Sequence, residues 1–301
     1  MARVIPSETV VKSPWRETFK AYLELTKLRI VLLLVFTTVT AMVIAADGHP
    51  PLKELVFTII GGALAAAGSS VINQYYDRDL DARMSRTARR PIPSGRVSPS
   101  NALIFGVALV TWSVLILGIF VNWLSAGLAL GGALYYVIIY TMLLKRNTVL
   151  NILIGGGAGA MPVLVGWAAV NGSLNFEAFI LFAIVFYWTP PHSWALALLV
   201  NTDYARANVP MMPVARGEHV TRQQILLYAI LLLVISLLPS AFGTLGAIYA
   251  LAALALGVGL IRSAVRLIRE QTGAAARSTY KFSTAYLAFL FLVMMIDKII
   301  L

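Results

Sequence analysis

Residues 28–46 read LRIVLLLVFTTVTAMVIAA, nineteen positions with one charge, at Arg29. At about 1.5 Å per helical residue such a run spans roughly 30 Å, the thickness of a bilayer's hydrocarbon core. Working outward from it, apolar runs of similar length recur at about 54–74, 102–121, 123–144, 150–170, 176–200, 223–242, 245–261 and 282–300. Helices are selected over strands, because inside lipid each segment must satisfy its own backbone hydrogen bonds. Composition agrees: 59% of the 301 residues are hydrophobic, 12% are charged, and the mean hydropathy is +0.82. A soluble domain of that size has too little polar surface to cover so much apolar material. The reading is an all-α integral membrane protein, 1–301 as one unit, with about nine transmembrane helices in a bundle.

Charge orients the bundle. The net charge of +11 would point to nucleic acid in a soluble protein, but its distribution removes that reading. With the N-terminus in the cytoplasm, Arg3, Lys12, Arg16, Lys20, Lys27 and Arg29 lie inside. So do Arg78, Arg83, Arg86, Arg89, Arg90, Arg96, Lys145, Arg146, Arg206, Arg216 and Arg222, and the cluster Arg262, Arg266, Arg269, Arg277 and Lys281. Of 24 basic residues only Lys53 and Lys298 fall outside, the asymmetry that the positive-inside rule describes. The first 27 residues lack the apolar core of a cleavable signal, and Glu8, Glu17 and Glu24 argue against a transit peptide. There is no cysteine, so disulfides and thiolate metal sites are excluded.

Polar chemistry gathers in two cytoplasmic loops, about 75–101 and 201–222, which cap the bundle and stand four spans apart, a layout that hints at a duplicated unit. Loops of that length more often have work to do than short ones. In the first, Asn73, Asp77 and Asp81 follow at i, i+4, i+8 and line one helix face over about 12 Å, with Asp79 on the far side. Two carboxylates and an amide oxygen form a hard-oxygen surface suited to Mg²⁺, which shares its shell with water and phosphate. Arg86 and Arg90 follow, with planar forks that grip phosphate oxygens. Arginines here are expected for topology alone, whereas acidic residues contribute little to topology and oppose the helix dipole, so they require a cation. The other reading of the aspartates is plain salt bridging to those arginines.

The uninterrupted pattern Asn-x₃-Asp-x₂-Leu-Asp-x₂-Met-x-Arg-Thr-x₂-Arg-x₄-Gly, from Asn73 to Gly95, resembles the signature of the UbiA-type intramembrane prenyltransferases. That resemblance implies Mg²⁺ and a prenyl diphosphate beneath a cytoplasmic cap, over a lipid-accessible cavity. It also implies roles for residues elsewhere: Asp203 with an ion of its own, and Lys145 and Arg146 at the diphosphate, with Tyr140 beside them. Where many members carry a second Asp-x₃-Asp, this chain has Asp203 and then Ala207, with Arg206 and Asn208 as helpers or ordinary loop polars. Four stretches, around Tyr140–Thr148, Asn151–Pro162, Trp188–Leu198 and Asp203–Pro213, are similar to the protohaem farnesyltransferase branch of that family. What this implies is transfer of farnesyl from farnesyl diphosphate to a vinyl group of haem B, giving haem O. Haem B is then a substrate, and Mg²⁺ the cofactor. The partners implied are the bilayer and a downstream haem A synthase or terminal-oxidase assembly, with the active site toward the cytoplasm of a bacterial cytoplasmic membrane.

His192 follows Pro190 and Pro191, a pair expected to open the sixth span. An imidazole in lipid needs a partner, either haem iron or a backbone carbonyl freed by those prolines. The aromatic residues of the middle of the chain (Tyr135, Tyr136, Tyr140, Trp167, Phe186, Tyr187, Trp188, Trp194) serve packing, or in a few cases line a cavity where π faces shield a carbocation. Two rival functions share the residues: prenylation of 4-hydroxybenzoate or a similar ring, and secondary transport. Transport is disfavoured by carboxylates at helix ends rather than at the bilayer centre.

Overall fold

The computed structural model describes residues 14–300, so Arg3, Glu8 and Lys12 lie outside the described residues. Among these residues nine helices are long and apolar enough to cross a membrane. After an N-terminal helix α1 (Pro14–Thr26) come α2 (Leu28–Ala45), α3 (Leu52–Tyr76), the short α4 (Arg78–Arg83) and α5 (Pro99–Phe120). Next are α6 (Trp123–Leu134), α7 (Asn151–Asn171), α8 (Phe176–Leu199) and the short α9 (Asn201–Arg206) and α10 (Met212–Arg216). The chain closes with α11 (Glu218–Ala241), α12 (Ala247–Glu270) and α13 (Gly273–Ile300). Sequential spans pack as antiparallel neighbours, α7 lies against both α2 and α8, and α13 returns to touch α2 and close the bundle. The short helices α4, α9 and α10 all sit at one end, the cap face.

Four departures from the sequence expectation have physical causes. First, α1 is a separate helix: its apolar side seats Ala21 and Leu25 in a small core with Val71, Ile92 and Ala102, at a length too short to span. Second, α12 and α13 run on past the apolar stretches, α12 to Glu270 instead of 261 and α13 from Gly273 instead of 282. Hydropathy marks where lipid ends, while the helix continues on local terms such as the Arg266–Glu270 pair at 2.6 Å. Third, Pro190 and Pro191 do not open α8, which passes through them unbroken with both rings buried among its neighbours. In a bundle, surrounding helices and side chains re-satisfy what a proline removes. Fourth, α6 widens into a π-helix over Tyr135–Leu144, where Lys145 N donates to Tyr140 O, five residues back, at 2.8 Å.

Packing between spans relies on small residues, as expected where lipid gives no hydrophobic drive between helices. At Gly68 a side chain would lie 2.7 Å from the carbonyl of Gly106, so α3 and α5 touch backbone to backbone. At Gly166 an added Cβ would lie 2.3 Å from the carbonyl oxygen of Thr38, fixing the crossing of α7 on α2. At the end opposite the cap, Asp297 of α13 is fully buried and accepts from the backbone N–H groups of Gly246 and Tyr249, satisfying the start of α12.

The Gly166 crossing yields a direct expectation. Gly166→Ala should destabilise the protein by about 1–3 kcal/mol, as overpacking does, whereas Gly127→Ala, which faces open space, should leave thermal unfolding in detergent unchanged. Equal midpoints for both variants would contradict the close approach.

Candidate active site

The cap-facing end of α3 terminates at Asp77, whose backbone (φ −86°, ψ 7°) turns the chain into α4. The junction is almost helical: Asp77 N donates to Asn73 O and Asp81 N to Asp77 O, at 2.9 and 2.7 Å. Asn73, Asp77 and Asp81 therefore stay on one side despite the break, and all three are buried (3%, 0% and 2% exposed). Each meets cations or donors brought from elsewhere in the chain. Asn73 Nδ2 donates to Asp77 Oδ2 (2.9 Å) and Thr141 Oγ1 (3.0 Å), while its Oδ1 accepts from Lys27 Nζ (3.1 Å). Asp77 Oδ2 is bound closely by Lys145 Nζ and Oδ1 by Arg146 at 3.3 Å. Asp81 takes both oxygens' bonds from Arg90 Nη1, at 2.9 and 2.7 Å.

The π-helix decides who reaches this pocket. Tyr136 and Lys145 are nine residues apart, which at 100° per residue on an α-helix sets them on opposite sides. At about 4.4 residues per π turn the same separation leaves them within about 20°. Both line a polar pocket of about 130 Å³, with Lys27, Arg86, Arg90, Tyr140 and Tyr204 around the same space. Thr141, fully buried, holds the wider turn by donating to Tyr136 O at 2.8 Å and presents the same oxygen to Asn73.

The structure sorts the sequence candidates unevenly. Asn73, Asp81, Arg86, Arg90, Tyr140 and Lys145 line the pocket, with Asp77 directly behind Lys145 and Asn73. Arg146 does not line it: the guanidinium bridges Asp77 and Asp79, 2.8 and 2.9 Å to the latter, and lies over the Tyr76 ring. That bond holds the Asp79 carboxyl down to about 2. Asp203 is buried and opposite, with both oxygens accepting from Ser85 Oγ at 2.9 and 3.0 Å, so the two cap segments are joined there. Arg206 reaches Asp203 only at 3.6 Å and is largely exposed, and Asn208 is an exposed left-handed turn residue (φ 55°). Neither touches the pocket. His192 is elsewhere, in a cleft between α8 and α13, between the rings of Trp188 and Tyr280 at 4.3 and 4.8 Å. Its Nδ1 pairs with Ser283 Oγ at 2.9 Å, so a carbonyl freed by the prolines is not its recorded partner.

Lys27 is the pocket residue that sequence reasoning counted only for topology. It occupies a left-handed position (φ 53°) between α1 and α2, which swings its amine inward. Burial first, then the neighbouring Arg90 and Lys145 charges, lower it to about 7. Nothing local in Thr26–Leu28 marks it; only the fold brings it to Asn73.

Whether Mg²⁺ suits these residues follows from the donors. Among the described residues no group of three His, Cys, Asp or Glu side chains converges, so a protein-only cage is absent. Two buried carboxylates and an amide oxygen, bordering a pocket rimmed by four cations, fit an ion that completes its shell with water and phosphate oxygens.

Residues 34–293 match the model of the UbiA prenyltransferase family. A protoheme IX farnesyltransferase from Symbiobacterium thermophilum is 50% identical over 283 residues, covering 93% of this chain and 95% of that protein. One from a Roseiflexus strain is 48% identical over 300 residues. The chain spans only 49% to 56% of the length of the Roseiflexus and Chloroflexus relatives. Among solved structures, a digeranylgeranylglyceryl phosphate synthase overlays with a TM-score of 0.79 at 19% identity, covering 95% of this chain and all of that one. A UbiA homologue from Archaeoglobus fulgidus bound to GPP and Mg²⁺ overlays at 0.67 with 17% identity, covering 91% and 99%. At such identities the likeness concerns the fold.

Removing Arg90 leaves Asp81 buried without its cation, a change that costs about 3–5 kcal/mol in comparable pairs. Arg90→Met should therefore lower thermal stability in detergent strongly, and adding Asp81→Asn should restore much of it. Additive losses in that cycle would show that the pair is not coupled.

Proposed function

The chain belongs to the UbiA prenyltransferase family, and we propose that it transfers farnesyl from farnesyl diphosphate to a vinyl carbon of haem B, producing haem O and diphosphate. One observation carries the reading: buried Asn73 and Asp81, with Asp77 directly behind them, border a pocket whose other walls supply Lys27, Arg86, Arg90 and Lys145. A site with both a hard-oxygen rail and an excess of cations suits a metal–diphosphate head group, which is anionic and metal-bridged at once.

In the described state Arg90 and Lys145 neutralise the carboxylates. When the diphosphate arrives, these long side chains turn to its oxygens, and Asn73, Asp77 and Asp81 become ligands. Asp203, at the opposite cap segment, is placed to hold a second ion or a coordinated water, and Ser85 orients it. Arg146 acts as a positioning residue, keeping the α3–α4 turn and Asp77 in place. Mg²⁺ held by Asn73, Asp77 and Asp81 would draw charge from the leaving group. Fixed positive charge that strengthens as the C1–O bond breaks stabilises the transition state more than the ground state. The electron pair leaves with the diphosphate. The vinyl π electrons attack C1, water adds to the resulting porphyrin-stabilised cation, and a proton is released. Tyr136 and Tyr140, stacked with centroids 5.4 Å apart, offer π faces to the allylic cation. No serine or cysteine nucleophile is needed.

The acceptor enters the other half of the bundle. Ser283 fixes Nδ1 of His192 and leaves Nε2 for haem iron, the outer-sphere orientation usual for metal-bound histidine. The charge pattern directs the pocket toward the cytoplasm of a bacterial membrane, from which haem O passes to a haem A synthase or oxidase assembly.

The test is to incubate the purified protein with haem B, farnesyl diphosphate and Mg²⁺ and weigh the extracted pigment by mass spectrometry. Haem O is expected, and unchanged haem B refutes the proposal. Asp77→Ala should abolish Mg²⁺-dependent turnover with the fold retained, and full activity there would remove its role. Haem absorbance bound to the protein should be lost in His192→Ala; undiminished binding would assign iron to another ligand.

A further inference from the structure

Tyr136 belongs to two cavities. On one side it closes the polar pocket; on the other it opens an apolar cavity of about 170 Å³ between α2, α3, α6 and α7. Small side chains make this space: Ala66, Ala133 and Gly159 form walls, and the buried Thr38, Ala129 and Val165 form its far end. Near that end α7 crosses α2 so closely that no side chain fits at Gly166, where the backbone meets the Thr38 carbonyl. A Cβ on Gly62 or Gly159 would meet nothing within 4 Å, so both glycines face open space rather than a neighbour.

The dimensions match one donor class. Gly62 lies eleven residues along α3 from Asn73, about 16 Å at 1.5 Å per residue. With carbon–carbon bonds of about 1.5 Å in an extended zigzag, the main chain of a farnesyl group reaches roughly 14 Å from C1. A geranyl chain stops well short of Gly62, and a geranylgeranyl chain runs on past it toward the crossing of α7 on α2. We infer that this cavity measures the isoprenoid, and that Gly62 is the position at which farnesyl length is read. The inference rests on the polar pocket being the diphosphate site. A shorter chain leaves the far end unfilled and forfeits dispersion contacts, while a longer one has to displace buried helix backbone.

A leucine at position 62 enters the cavity without forcing α3 off α5, because the packing glycine there is Gly61, against Leu117. Binding of geranyl, farnesyl and geranylgeranyl diphosphates with Mg²⁺ is measured by thermal stabilisation of the purified protein, and transfer to haem B by mass spectrometry. Wild type should favour farnesyl. Gly62→Leu should lower the farnesyl-to-geranyl ratio of kcat/KM by about tenfold or more, the scale on which a pocket discriminates by chain carbons. Ala66→Leu, one helical turn nearer the pocket, should move the same ratio further, and serves if the position-62 variant does not fold. An unchanged ratio, an equal loss with every donor, or a wild type indifferent to chain length overturns the inference. A wild type that binds no prenyl diphosphate at all instead overturns the transferase reading, so the two failures are distinct.

Discussion

Two carboxylates, Asp77 and Asp81, are taken out of water at the end of a membrane-spanning helix, and the rest of the site is arranged to make that tolerable. A buried carboxylate without a partner costs several kcal/mol even after local relaxation. The partners come from far along the chain: Lys145 and Arg146 from the end of the π-helix, Arg90 from the loop after α4, and Lys27, through Asn73, from the junction of α1 and α2. Three segments are thereby tied to one helix end. The cations that neutralise the acids are also the groups that an anionic ligand would recruit, so folding and binding draw on the same charges.

Two spans, α3 and α8, end alike and are equipped differently. α3 runs into the six-residue α4, and α8 into the six-residue α9, and Ser85 and Asp203 join these segments across the cap. The first carries a full acid rail. In the second, Ala207 stands where another carboxylate would, and it is buried in the apolar core. In its place the second holds an imidazole between two aromatic rings.

Much of this was readable from residue order, for identifiable reasons. Long apolar runs are local signals, and lipid leaves the chain few alternatives, so the nine spans follow with ends shifted by up to nine residues. The spacing of Asn73, Asp77 and Asp81 survives because the helix junction at Asp77 keeps its hydrogen bonds. What could not be read depends on geometry without a local signature. The residues Tyr135–Leu144 look like any apolar helix, yet only the π turn brings Tyr136 and Lys145 to one side. Lys27 resembles a topology-setting charge until a left-handed residue turns it inward. Arg146 and Asn208 illustrate the reverse case: residue types suited to phosphate binding that are engaged in holding a turn or forming one.

The buried Asp297 has a consequence for biogenesis. The first backbone amides of α12 find their acceptor on the last span, more than forty residues later. Until α13 has threaded into the bilayer, the beginning of α12 is left with exposed donors at the lipid boundary, a state the membrane penalises. The closing of the ring against α2 and the stitching of α12 both depend on α13, so the two happen together.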